Sequence, residues 1–105
     1  MHHAALLLSN ILIVEQRGNR LQVTINRPER RNALSLDLLD QLGNVFTKVA
    51  SDESLKCAVL TATGDRCFAA GGDLKELDAV RADADTLSMS RRARAALDTI
   101  RQFPV

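Results

Sequence analysis

An α/β fold, with an antiparallel hairpin first and parallel strands alternating with helices after it, follows from three features of the sequence. Residues 21–26, Leu-Gln-Val-Thr-Ile-Asn, alternate apolar and polar with the period of two that a half-buried strand requires. Leu39, Leu42, Phe46 and Val49 recur at spacings of three and four, which places them on one face of a helix. Residues 57–62, Cys-Ala-Val-Leu-Thr-Ala, form a short apolar run of the length of a buried strand, too brief for a helix.

The remaining elements fall in around these. Residues 11–16 are rich in β-branched side chains, and Arg17-Gly18-Asn19-Arg20 supplies a turn into the alternating run, so the two strands pair as a hairpin. Pro28 has no amide for a ladder and closes the second strand. Ser35 is a fitting N-cap, because its hydroxyl can accept an amide of the first helical turn, and Asp37 suits the positive end of the helix dipole. Gly43 weakens this helix slightly, and the helix is expected to end near Ser51 and Asp52. Residues 63–66 then read as a turn, residues 67–70 as a further extended piece, and Asp73 as the opening of a short helix over 74–80. The loosest stretch is 82–85. From Thr86 onward Leu87, Ala93, Leu97 and Ile100 resume helical spacing until Phe103 and Pro104 stop the element. Residues 1–10 read as an N-terminal tail and 11–105 as the N-terminal part of a single domain, without internal repeats.

Composition narrows the class of function. A chain of 105 residues holds one compact domain, and an apolar share of 46% against 26% charged excludes disordered and fibrous proteins. A net charge of +1 gives no pull toward nucleic acid or an anionic membrane, and without Trp or Tyr there is no base-stacking platform. Residues 4–14 are apolar, but Ser9 and Asn10 interrupt them and no Lys or Arg precedes them, so they lack the features of a signal peptide and the length of a membrane span. Cys57 and Cys67 are too few for a disulfide framework or a metal knuckle. Lying in apolar stretches, they read as buried reduced thiols of a cytoplasmic protein. His2 and His3 belong to the tail, and no metal site is expected.

Two stretches could carry chemistry. In residues 68–76 a strand ends, Ala70, Gly71 and Gly72 turn the chain, and Asp73 starts a helix. The first amides of a helix have no partner within it, and small residues let a ligand approach them; an amide so placed can stabilise an oxygen that gains negative charge. The plain alternative is a tight turn whose glycines only relieve strain. In residues 26–35, Arg27, Arg30 and Arg31 share one loop between a strand and a capped helix, where they could grip phosphate or simply be solvated.

Together these stretches resemble a known family. Asn-Arg-Pro-Glu-Arg-Arg-Asn-Ala-Leu-Ser (26–35), Ala-Val-Leu-Thr-Ala (58–62) and Cys-Phe-Ala-Ala-Gly-Gly-Asp-Leu-Lys-Glu (67–76) are similar, in order and spacing, to the signatures of the enoyl-CoA hydratase/isomerase (crotonase) family. The resemblance runs from about residue 11 to residue 105. It implies a crotonase-like (ClpP/crotonase) ββα spiral core, incomplete in this chain, and an acyl-CoA thioester as partner, with coenzyme A arriving as part of the substrate and no separate cofactor. By the same resemblance, the backbone amide of Gly72 is one donor of an oxyanion hole. Arg30, Arg31, Ala33 and Leu34 lie along the CoA nucleotide, Ala70, Gly71 and Leu74 flank the thioester path, and Lys75 approaches the CoA phosphates. Asp73 is read as a helix-start residue beside them. Family members associate as trimers or hexamers.

The family's second oxyanion amide and its two catalytic glutamates lie in a part that has no counterpart among these residues. Glu29, Glu76, Asp78, Asp83 and Asp85 are poor substitutes, those of residues 76 and 78 being expected to point away from the carbonyl, and Ser88 and Ser90 have no histidine partner. The expected function is that of an enoyl-CoA hydratase/isomerase, with hydration of a 2-enoyl-CoA or a related step as parent reaction. The alternative is a truncated, non-catalytic fragment acting as a CoA-binding or interaction module.

Overall fold

The computed structural model describes residues 3–7, 11–73, 76 and 83–105, with the backbone alone for 3–7, 83 and 84. Its elements are β1 (His3–Leu7), β2 (Leu12–Arg17), β3 (Arg20–Ile25), a 3-10 turn (Pro28–Arg30), α1 (Leu36–Val49), β4 (Cys57–Ala62) and α2 (Asp83–Arg101). One sheet holds the strands in the order β1-β2-β3-β4, antiparallel between the first three and parallel between β3 and β4.

In β2, β3 and β4 register puts the more buried apolar side chains on one face. Leu12 pairs with Ile25 and Val14 with Val23, while Leu21, Val23 and Ile25 face Ala58, Leu60 and Ala62 across the parallel ladder. Leu38, Leu42, Val45 and Phe46 of α1 close over that face and, with Leu55, complete the core. Full burial of each such side chain contributes about 1.5–3 kcal/mol, so the sheet and α1 form the stable frame on which the loops sit. The helix begins where Ser35 accepts the Leu38 amide at 3.1 Å, and Ala50 caps its other end. α2 crosses it, with Ala96 against Gly43 and an edge-to-face contact between Phe103 and Phe46, whose ring centroids are 5.1 Å apart. An exposed ion pair of Arg92 and Asp40 adds little to that crossing.

Several expectations are corrected. His3–Leu7 is not a tail but a strand, because its backbone finds the open edge of β2. β4 is not a buried strand: among the described residues helices cover one face of the sheet, and Val59 is 39% exposed on the other. Cys57, at the start of the same strand, is exposed; Cys67, in the loop beyond it, is half-buried; both are free thiols. Residues 67–70 form no ladder; they are tied to the preceding loop through single bonds instead. α1 ends at Val49, where Asp52 begins a turn by accepting the Ser54 amide, and residues 83–85 belong to α2 rather than to a loose segment. The short helix expected over 74–80 lies outside the described residues, apart from Glu76, which is helical.

Candidate functional site

The loop that follows β3 is shaped by two consecutive left-handed residues, Arg31 (φ 54°) and Asn32 (φ 56°). Asn tolerates this conformation better than most residues, and here its side chain uses it. Buried at 1% exposure, Asn32 accepts the Arg27 amide on Oδ1 at 2.9 Å and donates through Nδ2 to the carbonyls of Thr63 (3.0 Å) and Cys67 (2.7 Å). One amide therefore fastens the 26–35 loop to both ends of the segment leaving β4.

The second fastening is ionic. Arg27 donates through Nη1 to the Ala33 carbonyl at 2.6 Å and through Nη2 to Asp73 Oδ2 at 3.1 Å, with the two side chains only 13% and 10% exposed. Asp73 Oδ1 also accepts the Glu76 amide at 3.3 Å, the three-residue reach of an N-cap side chain. Glu76 in turn accepts the Leu36 amide on Oε1 at 2.8 Å, at the start of α1. Between these anchors the backbones run side by side: Ala70 donates to the Arg31 carbonyl (3.1 Å) and Leu34 to the Gly71 carbonyl (2.7 Å). Gly71 takes φ 103°, a conformation that favours glycine, and this turns the chain toward Gly72.

Gly72 emerges from this frame exposed, and among the described residues its amide has no hydrogen-bond partner. It lies on the wall of a cleft of about 430 Å³ shared by Leu34, Leu36, Leu39, Asp73, Glu76 and the α2 residues Thr86, Met89, Ser90 and Ala93. The cleft is mainly apolar, and among the described residues its two carboxylates are already engaged, with Arg27 and with the Leu36 amide. A second, polar cleft of about 630 Å³ lies on the Asn32 side, lined by Pro28, Arg31, Thr63, Gly64 and Arg66 among others. Among the described residues no three His, Cys, Asp or Glu side chains gather into a group that could hold a metal ion.

The structure brings Ala33, Leu34, Ala70, Gly71, Gly72 and Asp73 together through the bonds above, while Arg30 and Arg31 stay exposed on the 3-10 turn. Leu74 and Lys75 lie outside the described residues, as does Asp78. The reading of the basic loop is corrected at Arg27, which is an internal strut and not a free phosphate grip. Glu76 does not point away; it lines the same cleft as Gly72. Sequence reasoning missed the roles of Asn32 and Glu76, whose partners, the Arg27 amide apart, lie 31 to 40 residues away in the chain. A faint signal existed for Glu76 alone, three residues after a helix-opening Asp73, the spacing of a capping pair.

The fold is that of the crotonases. An enoyl-CoA hydratase from Mycobacterium smegmatis superposes with a TM-score of 0.86 at 33% identity, covering 92% of this chain and 38% of that one. The family profile of enoyl-CoA hydratase/isomerase matches residues 15–105, and the chain belongs to that family. It is 37% identical over 68 residues to a short-chain-enoyl-CoA hydratase of Clostridium acetobutylicum, covering 65% of this chain and 26% of that protein. To a 2,3-dehydroadipyl-CoA hydratase of Escherichia coli K12 it is 46% identical over 66 residues, 63% of this chain and 26% of that protein. The chain thus spans little more than a third of the length of its relatives, or less. Among the described residues no helix is long and apolar enough to cross a membrane.

Proposed function

We propose that this chain binds an acyl-CoA thioester and presents the Gly72 amide to its carbonyl oxygen, as part of the hydration of a 2-enoyl-CoA or a related enolate reaction. The observation that carries the reading is the exposed Gly72 on the wall of an apolar cleft, its N–H without a partner among the described residues. In the parent reaction water adds its oxygen to C3 of the enoyl group and a proton goes to C2, with negative charge held on the thioester oxygen between the two events. One preorganised amide aimed at that oxygen contributes on the order of 3 kcal/mol, and the apolar cleft beside it keeps the interaction strong by excluding water. The exposed Arg31, with Arg66 across the polar cleft, suits the CoA phosphates, and Arg30 belongs to the same basic turn. Coenzyme A enters as part of the substrate, with no separate cofactor. Assembly into trimers or hexamers and a cytoplasmic site of action complete the reading.

A second reading, a CoA-binding module without turnover, is favoured by one observation. The two described carboxylates of the cleft are committed, Asp73 to Arg27 and Glu76 to the Leu36 amide, so neither is poised to move a proton. Binding and turnover separate the two. The chain is expected to bind crotonyl-CoA in equilibrium dialysis, and Gly72→Pro, which deletes the donor, to weaken a β-ketoacyl-CoA about 100-fold. Unchanged affinity in that variant sinks the Gly72 assignment. Hydration of crotonyl-CoA by the chain alone decides for an enzyme over a module.

A further inference from the structure

Two peptide planes stand in line behind the Gly72 amide. No peptide bond among the described residues is cis, so within each plane the C=O and N–H point in opposite directions. Arg27 Nη1 donates to the Ala33 carbonyl at 2.6 Å; the amide on the far side of that same plane, Leu34 N–H, donates to the Gly71 carbonyl at 2.7 Å; and the amide on the far side of the Gly71 plane is Gly72 N–H. A charged donor, two peptides and an amide without a partner among the described residues thus form one continuous chain.

We infer that Arg27 is a positioning residue for the oxyanion donor, aiming and polarising the Gly72 amide through the peptides that join Ala33 to Leu34 and Gly71 to Gly72. This rests on the reading of Gly72 given above and deepens it. Aim comes from geometry. With its carbonyl held by Leu34, the Gly71 plane cannot rotate, and the Gly72 N–H is turned away from the Leu34 backbone. Strength comes from polarisation: a guanidinium pulling on the first carbonyl makes the next amide a better donor, and each hydrogen bond in such a chain strengthens its neighbour by about 10–30%. The other arm of the guanidinium holds Oδ2 of Asp73, the residue directly after Gly72, so the Gly72 amide is fixed from both sides. Neither charge of the pair is spent on substrate. Arg27 acts through backbone, which is why its effect must appear in charge stabilisation rather than in CoA affinity.

The test compares two ligands on the 105-residue chain: acetoacetyl-CoA, which can bind as an enolate with its own absorption band, and butyryl-CoA, which binds uncharged at oxygen. Arg27→Gln alone removes the cation that faces the Asp73 carboxylate, so the working variant is Arg27→Gln with Asp73→Asn, which removes both charges at similar shape. We expect it to lower enolate binding about tenfold, part of the 10²–10³ that a whole donor is worth, with butyryl-CoA affinity changed less than twofold. The Gly72 amide proton should move upfield in the ¹H–¹⁵N spectrum of the same variant, and Arg27→Lys, which keeps the charge but not the fork, should recover part of both effects. Equal loss on the two ligands, or an unmoved amide proton, overturns the inference. Gly72→Pro is the separate control: if it leaves the enolate band intact, the Gly72 reading itself fails, whatever Arg27 does.

Discussion

The Nδ2 of Asn32 donates to the backbone carbonyl of Cys67 across 2.7 Å, joining residues 35 apart in sequence and closing the loop after β3 onto the segment after β4. The same nitrogen serves Thr63, and the side-chain oxygen serves the Arg27 amide, so three backbone segments converge on one buried amide.

That convergence makes the position intolerant of its own isostere. Asn32→Asp keeps the shape and the left-handed tolerance but replaces two N–H donors with a carboxylate oxygen facing two carbonyls. Leaving buried polar groups unsatisfied costs about 1–3 kcal/mol each, more for a charged one. Urea denaturation should show Asn32→Asp at least as destabilised as Asn32→Ala. An aspartate variant as stable as the parent would mean that these bonds do not organise the loop.

The pair of Arg27 and Asp73 should behave as a unit. Removing either partner alone strands a nearly buried charge and is expected to cost about 3–5 kcal/mol. Neutralising both leaves no stranded charge, so the double variant should be more stable than the sum of the single losses, by a coupling of about 1–3 kcal/mol. Chemical denaturation of the four proteins measures this directly, and additive losses would show that the two side chains are not paired in solution.

Acid titration has a local reporter far from the site. The hydroxyl of Ser54 first, then its amide, hold the Asp52 carboxyl below the ordinary carboxylate value, against desolvation that works the other way, with Gln16 contributing last. A lowered folded-state value means that the contribution to stability is present above the ordinary carboxylate range and is lost as pH falls through the folded value. NMR titration should therefore place the Asp52 midpoint below that of an unfolded-chain peptide, and Ser54→Ala should move it back up. A midpoint indifferent to Ser54 would contradict the geometry of this turn.

How far the sequence speaks is visible in particular residues. Leu21, Val23 and Ile25 alternate, and Leu39, Leu42 and Phe46 recur at helical spacing, because each pattern is the imprint of one buried face. β1 left no such imprint: a run of Ala and Leu without alternation reads as neither element, and its place is decided by an edge of β2 that no local window contains. The exposure of Val59 and Cys57 was hidden for the opposite reason, since an apolar run says nothing of how many faces the neighbours cover. At the site, Gly71 and Gly72 were legible as a turn because glycine reports on backbone. Arg27 was legible as a charge but not as a strut, because its partner Asp73 is 46 residues away.

Gly43 is the position where the sequence departs from its own best helix. It lies inside α1, where glycine costs about 1 kcal/mol relative to alanine. Its place against α2 suggests a need for close approach, yet an added Cβ would meet Ala96 Cα at 3.4 Å and Ala96 Cβ at 3.7 Å, which is ordinary contact. Nothing in its backbone requires glycine either, since its φ is not positive. Gly43→Ala should then stabilise the chain by about 0.5–1 kcal/mol, a rise of about 2–8 °C in Tm for a domain of this size. Gly43→Leu has no such room and should push α2 away, lowering Tm and loosening the contact of Phe103 with Phe46 that depends on the same crossing. If the alanine variant melts lower than the parent, the two helices pack more tightly in solution than these distances show, and the close approach is itself what glycine is there to allow.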